Sequence, residues 1–176
     1  VCSGSLSING NPKKRMLLMK FDESGNELWR RTFTPSGVNH TYGYDMDTVS
    51  DGGFVIVGRT DYLNNPNVYL VKTNCLGFTY PPSADFSTTN NNNSFTFYNF
   101  SNFADTCIYY FGDGDSAIVH LTDTVPILHT YAGPGPYQPY LLAFACGEID
   151  TLYQTIYLGL DDSKALIEKS FSIYPN

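Results

Sequence analysis

The chain has 176 residues, with 10 Lys and Arg against 17 Asp and Glu for a net charge of −7, and it is 42% hydrophobic and 15% aromatic. Its 14 Tyr and 12 Phe, set against only 15% charged residues, exclude a disordered chain and a coiled coil and indicate a folded, all-β protein. The longest apolar run, residues 140–146, is far shorter than the ~18 residues a spanning helix needs, and no basic and apolar leader opens the sequence. Beyond Lys13-Lys14-Arg15 there is no basic run, so a nucleic-acid footprint is not expected. The first residue is Val1 rather than Met, which reads as a portion of a longer protein.

Residues 1–78 contain a repeat. Leu17-Leu18-Met19-Lys20-Phe21-Asp22-Glu23-Ser24-Gly25 aligns with Tyr69-Leu70-Val71-Lys72-Thr73-Asn74-Cys75-Leu76-Gly77, an offset of 52 residues. Upstream of each copy lies a strand ending in glycine, Val1-Cys2-Ser3-Gly4 and Val55-Ile56-Val57-Gly58. Each unit reads as an apolar strand, a loop, a strand ending in Lys, an Asx-x-x-Gly turn and a further strand. With the Trp29 that follows the first turn and the Asp51-Gly52-Gly53-Phe54 that opens the second unit, this resembles the propeller-type repeats of secreted Bacteroidota proteins. The resemblance implies blades of about four strands packed on their neighbours, with further repeats expected before Val1.

At Phe78-Thr79-Tyr80-Pro81-Pro82 the repeat stops without its Trp strand, so residues 79–83 are expected to form a stiff linker. Residues 84–158 follow as short alternating strands separated by Asn, Gly and Pro, the pattern of a β-sandwich. Phe95-Thr96-Phe97-Tyr98-Asn99-Phe100 alternates strictly. Ala84-Asp85-Phe86, then Phe111-Gly112-Asp113-Gly114, then His129-Thr130-Tyr131 with Gly135 and Tyr137, resemble the motifs of PKD domains, which are immunoglobulin-like sandwiches. Tyr109 stands where that family usually carries a core Trp, and Pro139 interrupts a strand that usually has no proline. Gly112 and Gly114 suit positive-φ positions of a tight turn whose amides Asp113 can accept, a structural role. His129 reads as a core or strand-end histidine.

Four cysteines without Cys-x-x-Cys or Cys/His spacing read as disulfide-forming rather than as zinc ligands, which points to an oxidising compartment. Cys107 shares a strand face with Tyr109, and Cys146 shares one with Leu142 and Phe144. This predicts a Cys107–Cys146 bond inside the sandwich and leaves Cys2 and Cys75 unassigned.

No catalytic signature emerges. His40, His120 and His129 have no nucleophile motif or metal-binding partner beside them, and no glycine-rich loop precedes a helix. Asp45 and Asp47 share a strand face and read as solvated rather than as a glycosidase pair. No cofactor is expected; the alternative is calcium at Asp113, Asp115 and Asp123, a thin set for a six- to eight-oxygen shell. Exposed tyrosines could stack on a surface glycan, although most are expected to pack across strands.

Residues 159–176 comprise a polar spacer and Phe171-Ser172-Ile173-Tyr174-Pro175-Asn176, which resembles the opening of a type IX secretion sorting domain. That resemblance implies recognition by the type IX translocon and its shuttle proteins through Tyr174, Pro175 and Asn176, and release through the periplasm to the medium or the outer-membrane surface. It also implies O-glycosylation at Asp-Ser/Thr-apolar triplets, here at Thr48, Ser116, Thr124 and Thr151. The whole reads as a non-catalytic part of a large secreted or surface protein, serving as spacer, adhesion module and export cargo. The alternative is the accessory tail of a secreted hydrolase.

Overall fold

Alternating apolar residues bounded by Asx and glycine turns fold here into fifteen described strands. The structure is a computed structural model and describes residues 1–7, 13–62, 65–120 and 125–159. By contacts the chain divides into two units, Val1–Pro81 with Ala145–Gly147, and Pro82–Phe144 with Glu148–Asn176.

In the first unit, β1 (Cys2–Ser7), β2 (Lys14–Phe21) and β3 (Glu27–Phe33) form one antiparallel meander. β4 (His40–Thr48), β5 (Phe54–Tyr62) and β6 (Asn65–Thr73) form another. The sequence repeat recurs in the backbone. Asp22 Oδ1 accepts the amides of Ser24 and Asn26 at 2.9 and 2.8 Å, and Asn74 Oδ1 accepts those of Leu76 and Phe78 at 3.0 Å each. Gly25 and Gly77 sit at φ of 84° and 78°, the left-handed conformation that closes each turn. Each sheet has three strands where the repeat suggested about four, and residues 79–82, with their two prolines, add none.

The two meanders pack through Met16, Leu18, Phe54, Ile56 and Val71, all buried. A Cβ on Gly58 would lie 2.6 Å from Met16 Cε, so the absence of a side chain admits the methionine. Thr41 on β4 is fully buried and reaches the other sheet, accepting the Met16 amide and donating to the Phe33 carbonyl at 2.8 Å each. The Arg31 guanidinium sits over Trp29 and Phe78, 5.3 and 4.2 Å from their ring centroids.

The second unit is an immunoglobulin-like β-sandwich. Its strands are β7 (Phe86–Asn91), β8 (Ser94–Asn99), β9 (Thr106–Tyr110), β10 (Ser116–His120), β11 (Ile127–Thr130), β12 (Gly135–Tyr137), β13 (Tyr140–Ala145), β14 (Glu148–Tyr153) and β15 (Ile156–Leu158). One sheet runs β10-β9-β13-β14, the facing one β11-β8-β7, and β12 pairs with β15. Inward alternation supplies the core: Phe86, Phe95, Phe97, Cys107, Tyr109, Val119, Leu141 and Ala143. Tyr109 packs edge-on to Phe86 and Phe97 at 5.5 and 5.4 Å. Pro139 lies between the end of β12 and the start of β13, so the expected strand is divided there, and its carbonyl accepts the Gln154 amide at 2.9 Å.

The expected Cys107–Cys146 bond is not formed. The disulfide joins Cys75 to Cys146, with Cα atoms 5.7 Å apart, while Cys2 is exposed and free and Cys107 is buried and free. The strand parity was sound but its orientation was not. Leu141, Ala143 and Ala145 are the inward residues of β13, so Leu142, Phe144 and Cys146 fall on the other parity, whereas Cys107 points inward. In addition, β9 and β13 are neighbours in one sheet, with Cys107 opposite Ala143. Cys146 stands in the turn after β13 at φ 54°, in the Ala145–Gly147 segment that groups with the first unit, as Cys75 does.

Two outcomes follow. Thiol labelling of the native protein should modify Cys2 alone, with Cys107 reacting only after denaturation, and peptide mapping should recover Cys75 linked to Cys146. A Cys107 peptide in disulfide linkage would contradict the fold. The Tyr109 hydroxyl is buried without a hydrogen-bond partner among the described residues, and burial pushes its ionisation well above the ordinary range for tyrosine. Tyr109→Phe should therefore raise stability by about 1 kcal/mol in denaturant unfolding; a loss of that size would mean the hydroxyl is satisfied.

Candidate functional site

The motif residues expected in the sandwich converge at one end of it. Phe111 follows β9 and leads into the turn to β10, where Gly112 and Gly114 adopt φ of 86° and 107°. A Cβ on Gly112 would come within 2.9 Å of the Gln138 backbone nitrogen, so glycine is required there by both conformation and space. Asp113 Oδ1 accepts the Asp115 amide at 3.2 Å, which fixes the turn. The other carboxylate oxygen, Oδ2, lies 2.7 Å from His129 Nε2.

His129 comes from β11, whose pairing with β8 sets Leu128 opposite Thr96 and His129 opposite Phe95. Its imidazole stacks on Phe111 with centroids 4.0 Å apart and planes 4° from parallel, and it meets Tyr131 edge-on at 4.6 Å. Tyr131 is fully buried, donates its hydroxyl to the Phe111 carbonyl at 2.9 Å and stacks on Tyr137 at 4.2 Å. Phe111, Asp113, His129 and Tyr131 thus tie the β9–β10 turn to β11 through one ring stack, one histidine–carboxylate hydrogen bond and one buried hydroxyl–carbonyl hydrogen bond. Burial opposes ionisation of Asp113, but the hydrogen bonds from His129 and the Asp115 amide outweigh it, and the carboxyl is held below its usual range.

Asp113, Asp115 and His129 bring one ligand-type atom each to within 4.8 Å of one another. The donor set does not suit calcium, which takes six to eight oxygens, because one of the three groups is a nitrogen. One Asp113 oxygen is already held by that nitrogen and the other by a turn amide. Asp123, the third carboxylate of the calcium alternative, lies outside the described residues.

The remaining candidates are separate. Asp45 and Asp47 are exposed on β4, each accepting the amide of the following residue at 2.9 and 2.7 Å. His40 and His120 are on different units, at β4 and β10. Thr48 and Ser116 are exposed, Thr151 is half-buried on β14, and Thr124 lies outside the described residues, as do Tyr174, Pro175 and Asn176. The His129–Asp113 pair was not signalled by spacing, since the two are 16 residues apart.

No protein-family model matches the chain, and no curated protein matches it. Among solved structures it is similar to the PKD1 domain of the Vibrio cholerae metalloprotease PrtV, at 22% identity over 46% of this chain and 100% of that one, with a TM-score of 0.40. It is also similar to the PKD1 domain of Vibrio anguillarum Epp, at 18% identity over 47% of this chain and 98% of that one, again with a TM-score of 0.40.

The depressed Asp113 carboxyl has a definite sign in its effect on stability. Its contribution is present above the pKa of the unfolded chain, near 3.8, and is lost as pH falls through the lower folded value. Asp113→Asn should lower stability at neutral pH and flatten the decline of stability with acidification below about pH 4. Parallel profiles for the two proteins would show that the pair contributes nothing.

Proposed function

We propose that this chain is a non-catalytic portion of a larger secreted or cell-surface protein, acting as a spacer or adhesion module and exported by type IX secretion. The observation that carries the extracytoplasmic half of this reading is the Cys75–Cys146 disulfide, because such bonds persist in oxidising compartments and are rare in the cytosol. The immunoglobulin-like sandwich, with the motif residues resembling those of PKD domains, supports the spacer role. So does the engagement of His129 and Asp113 with each other and with the ring stack, which leaves them holding a turn. No helix among the described residues is long and apolar enough to cross a membrane.

The export route rests on the resemblance of residues 171–176 to the start of a type IX sorting domain. In this reading the translocon and its shuttle proteins are the partners of Tyr174, Pro175 and Asn176, and a surface glycan or protein is the ligand of the folded part. No cofactor takes part, and calcium has no role at Asp113 and Asp115. Of the described triplet residues, the exposed Thr48 and Ser116 are better placed for O-glycosylation in transit than the half-buried Thr151.

Deleting residues 171–176 from the natively expressed protein should leave the sandwich folded and the Cys75–Cys146 bond formed, but hold the protein in the periplasm. Secretion of the truncated protein at normal levels would refute the sorting assignment while leaving the spacer reading intact. An intact mass of the secreted product equal to that of the bare polypeptide would remove the glycosylation.

A further inference from the structure

The second meander of the first unit holds a cavity of about 340 Å³, lined by Asn39, His40, Arg59, Asp61 and Pro66. That is the lower end of the ~300–1,000 Å³ of small-molecule sites, so it admits a single ring rather than a chain of them. Strand register builds it. His40 of β4 is opposite Asp61 of β5, and Asp61 is opposite Pro66 of β6, so three strands deliver one row of side chains. Two residues along, on the same face, Tyr42 is opposite Arg59.

The polar groups of this cavity are held in place by neighbours that do not line it. His40 Nδ1 accepts the Lys14 amide at 3.2 Å, which leaves the ring proton on Nε2 as a donor. Its imidazole stacks on Tyr42, with centroids 6.2 Å apart and planes 22° from parallel. The Arg59 guanidinium lies over the same tyrosine, 4.9 Å from the ring centroid. It also pairs with Asp61, with Nε 3.1 Å from Oδ1 and Nη2 3.4 Å from Oδ2. A guanidinium has five N–H donors and a carboxylate about four acceptor positions, so the pair occupies only part of either group. The Arg59 and Asp61 side chains are 41% and 24% exposed, which leaves the remainder within reach of a ligand.

This set of groups discriminates between ligand classes. An anion would meet an arginine already neutralised and a carboxylate that repels it. An apolar molecule would strip water from an ion pair and return no hydrogen bond. Peptides are taken by a free strand edge or an extended groove, whereas here side chains surround a local recess on a sheet face. A neutral polyol meets every group in the set. Each hydroxyl both donates and accepts, so two adjacent hydroxyls can donate to Asp61 while accepting from Arg59, from His40 Nε2 and from the Asn39 amide. The Pro66 ring offers an apolar wall to the C–H groups of the same molecule.

We propose that this cavity binds one neutral sugar unit of a surface glycan, with Asp61 as the acceptor and Arg59, His40 and Asn39 as the donors. The inference rests on the reading of the chain as an adhesion module with a glycan ligand, and it assigns that ligand to the first unit rather than to the tyrosines of the sandwich.

Methyl glycosides of mannose, galactose, glucose and N-acetylglucosamine are to be titrated into the isotope-labelled 176-residue chain. At least one should bind with a Kd of about 1 mM or tighter and shift the His40 imidazole and Asn39 amide resonances. Asp61→Asn, which keeps the shape of the side chain but not its charge, should weaken that binding at least tenfold with the circular dichroism unchanged. Asn39→Ala, at an exposed position, should weaken it as well. Undiminished binding in both variants would overturn the proposal, as would tighter binding of inorganic sulfate or glucuronate than of every neutral glycoside. Glycoside-induced shifts confined to other residues would overturn this site while leaving the chain a glycan binder. No binding of any of the four would overturn the site and the glycan reading together.

Discussion

An antiparallel sheet depends on register, because a slip of one residue turns every inward side chain outward. In both units a side-chain oxygen holds that register at the turn. Asp22 and Asn74 each gather two amides, Asp51 Oδ1 takes the amide of Gly53 at 2.9 Å, and Asp113 takes that of Asp115. Each of these side-chain oxygens replaces a backbone bond that the turn cannot make, and a glycine beside most of them accepts the positive φ that closes the loop. With the turns so fixed, Met16 is bound to point at Gly58, and Phe97 and Tyr109 to point at each other. Two of these turn carboxyls are doubly committed, Asp113 to His129 and Asp51 to Lys72.

This explains which parts of the structure were legible beforehand. Asx and glycine at set distances are local signals, so the turns around Asp22, Asp51, Asn74 and Asp113 could be read directly. Strict alternation likewise exposed the inward set Phe95 and Phe97. Parity could also be read, but parity alone does not say which face is inward or which strands are neighbours. That is why Cys107 and Cys146 looked like partners, although one points into the core and the other occupies the turn beyond β13.

The contact of His129 with Asp113 was hidden for a related reason. It depends on β11 pairing with β8 while β10 pairs with β9 in the facing sheet, a long-range choice that no local pattern records. The sequence reads His129 as a core or strand-end histidine, and its carboxylate partner sits in a turn that is already explained by its own amide. The buried Tyr109 hydroxyl is a parallel case. Sequence marks Tyr109 as a departure from the motif it resembles, but only the packed core shows that its oxygen has no hydrogen-bond partner among the described residues.

The Cys75–Cys146 bond has a mechanical consequence. It spans 71 residues, and strands β7 to β13 all lie inside the loop it closes. Tension applied along the backbone from either side of that loop passes through the sulfur bridge rather than along the backbone of those seven strands, and reaches them only where β14 pairs with β13 and β15 with β12. Of the sandwich, only β14 and β15 lie on the strained path. At about 3.3–3.6 Å per extended residue, the bridge withholds roughly 230–260 Å of chain from extension. Reduction would release that length, so the redox state of one bond decides whether most of the sandwich behaves as a shielded knot or as slack.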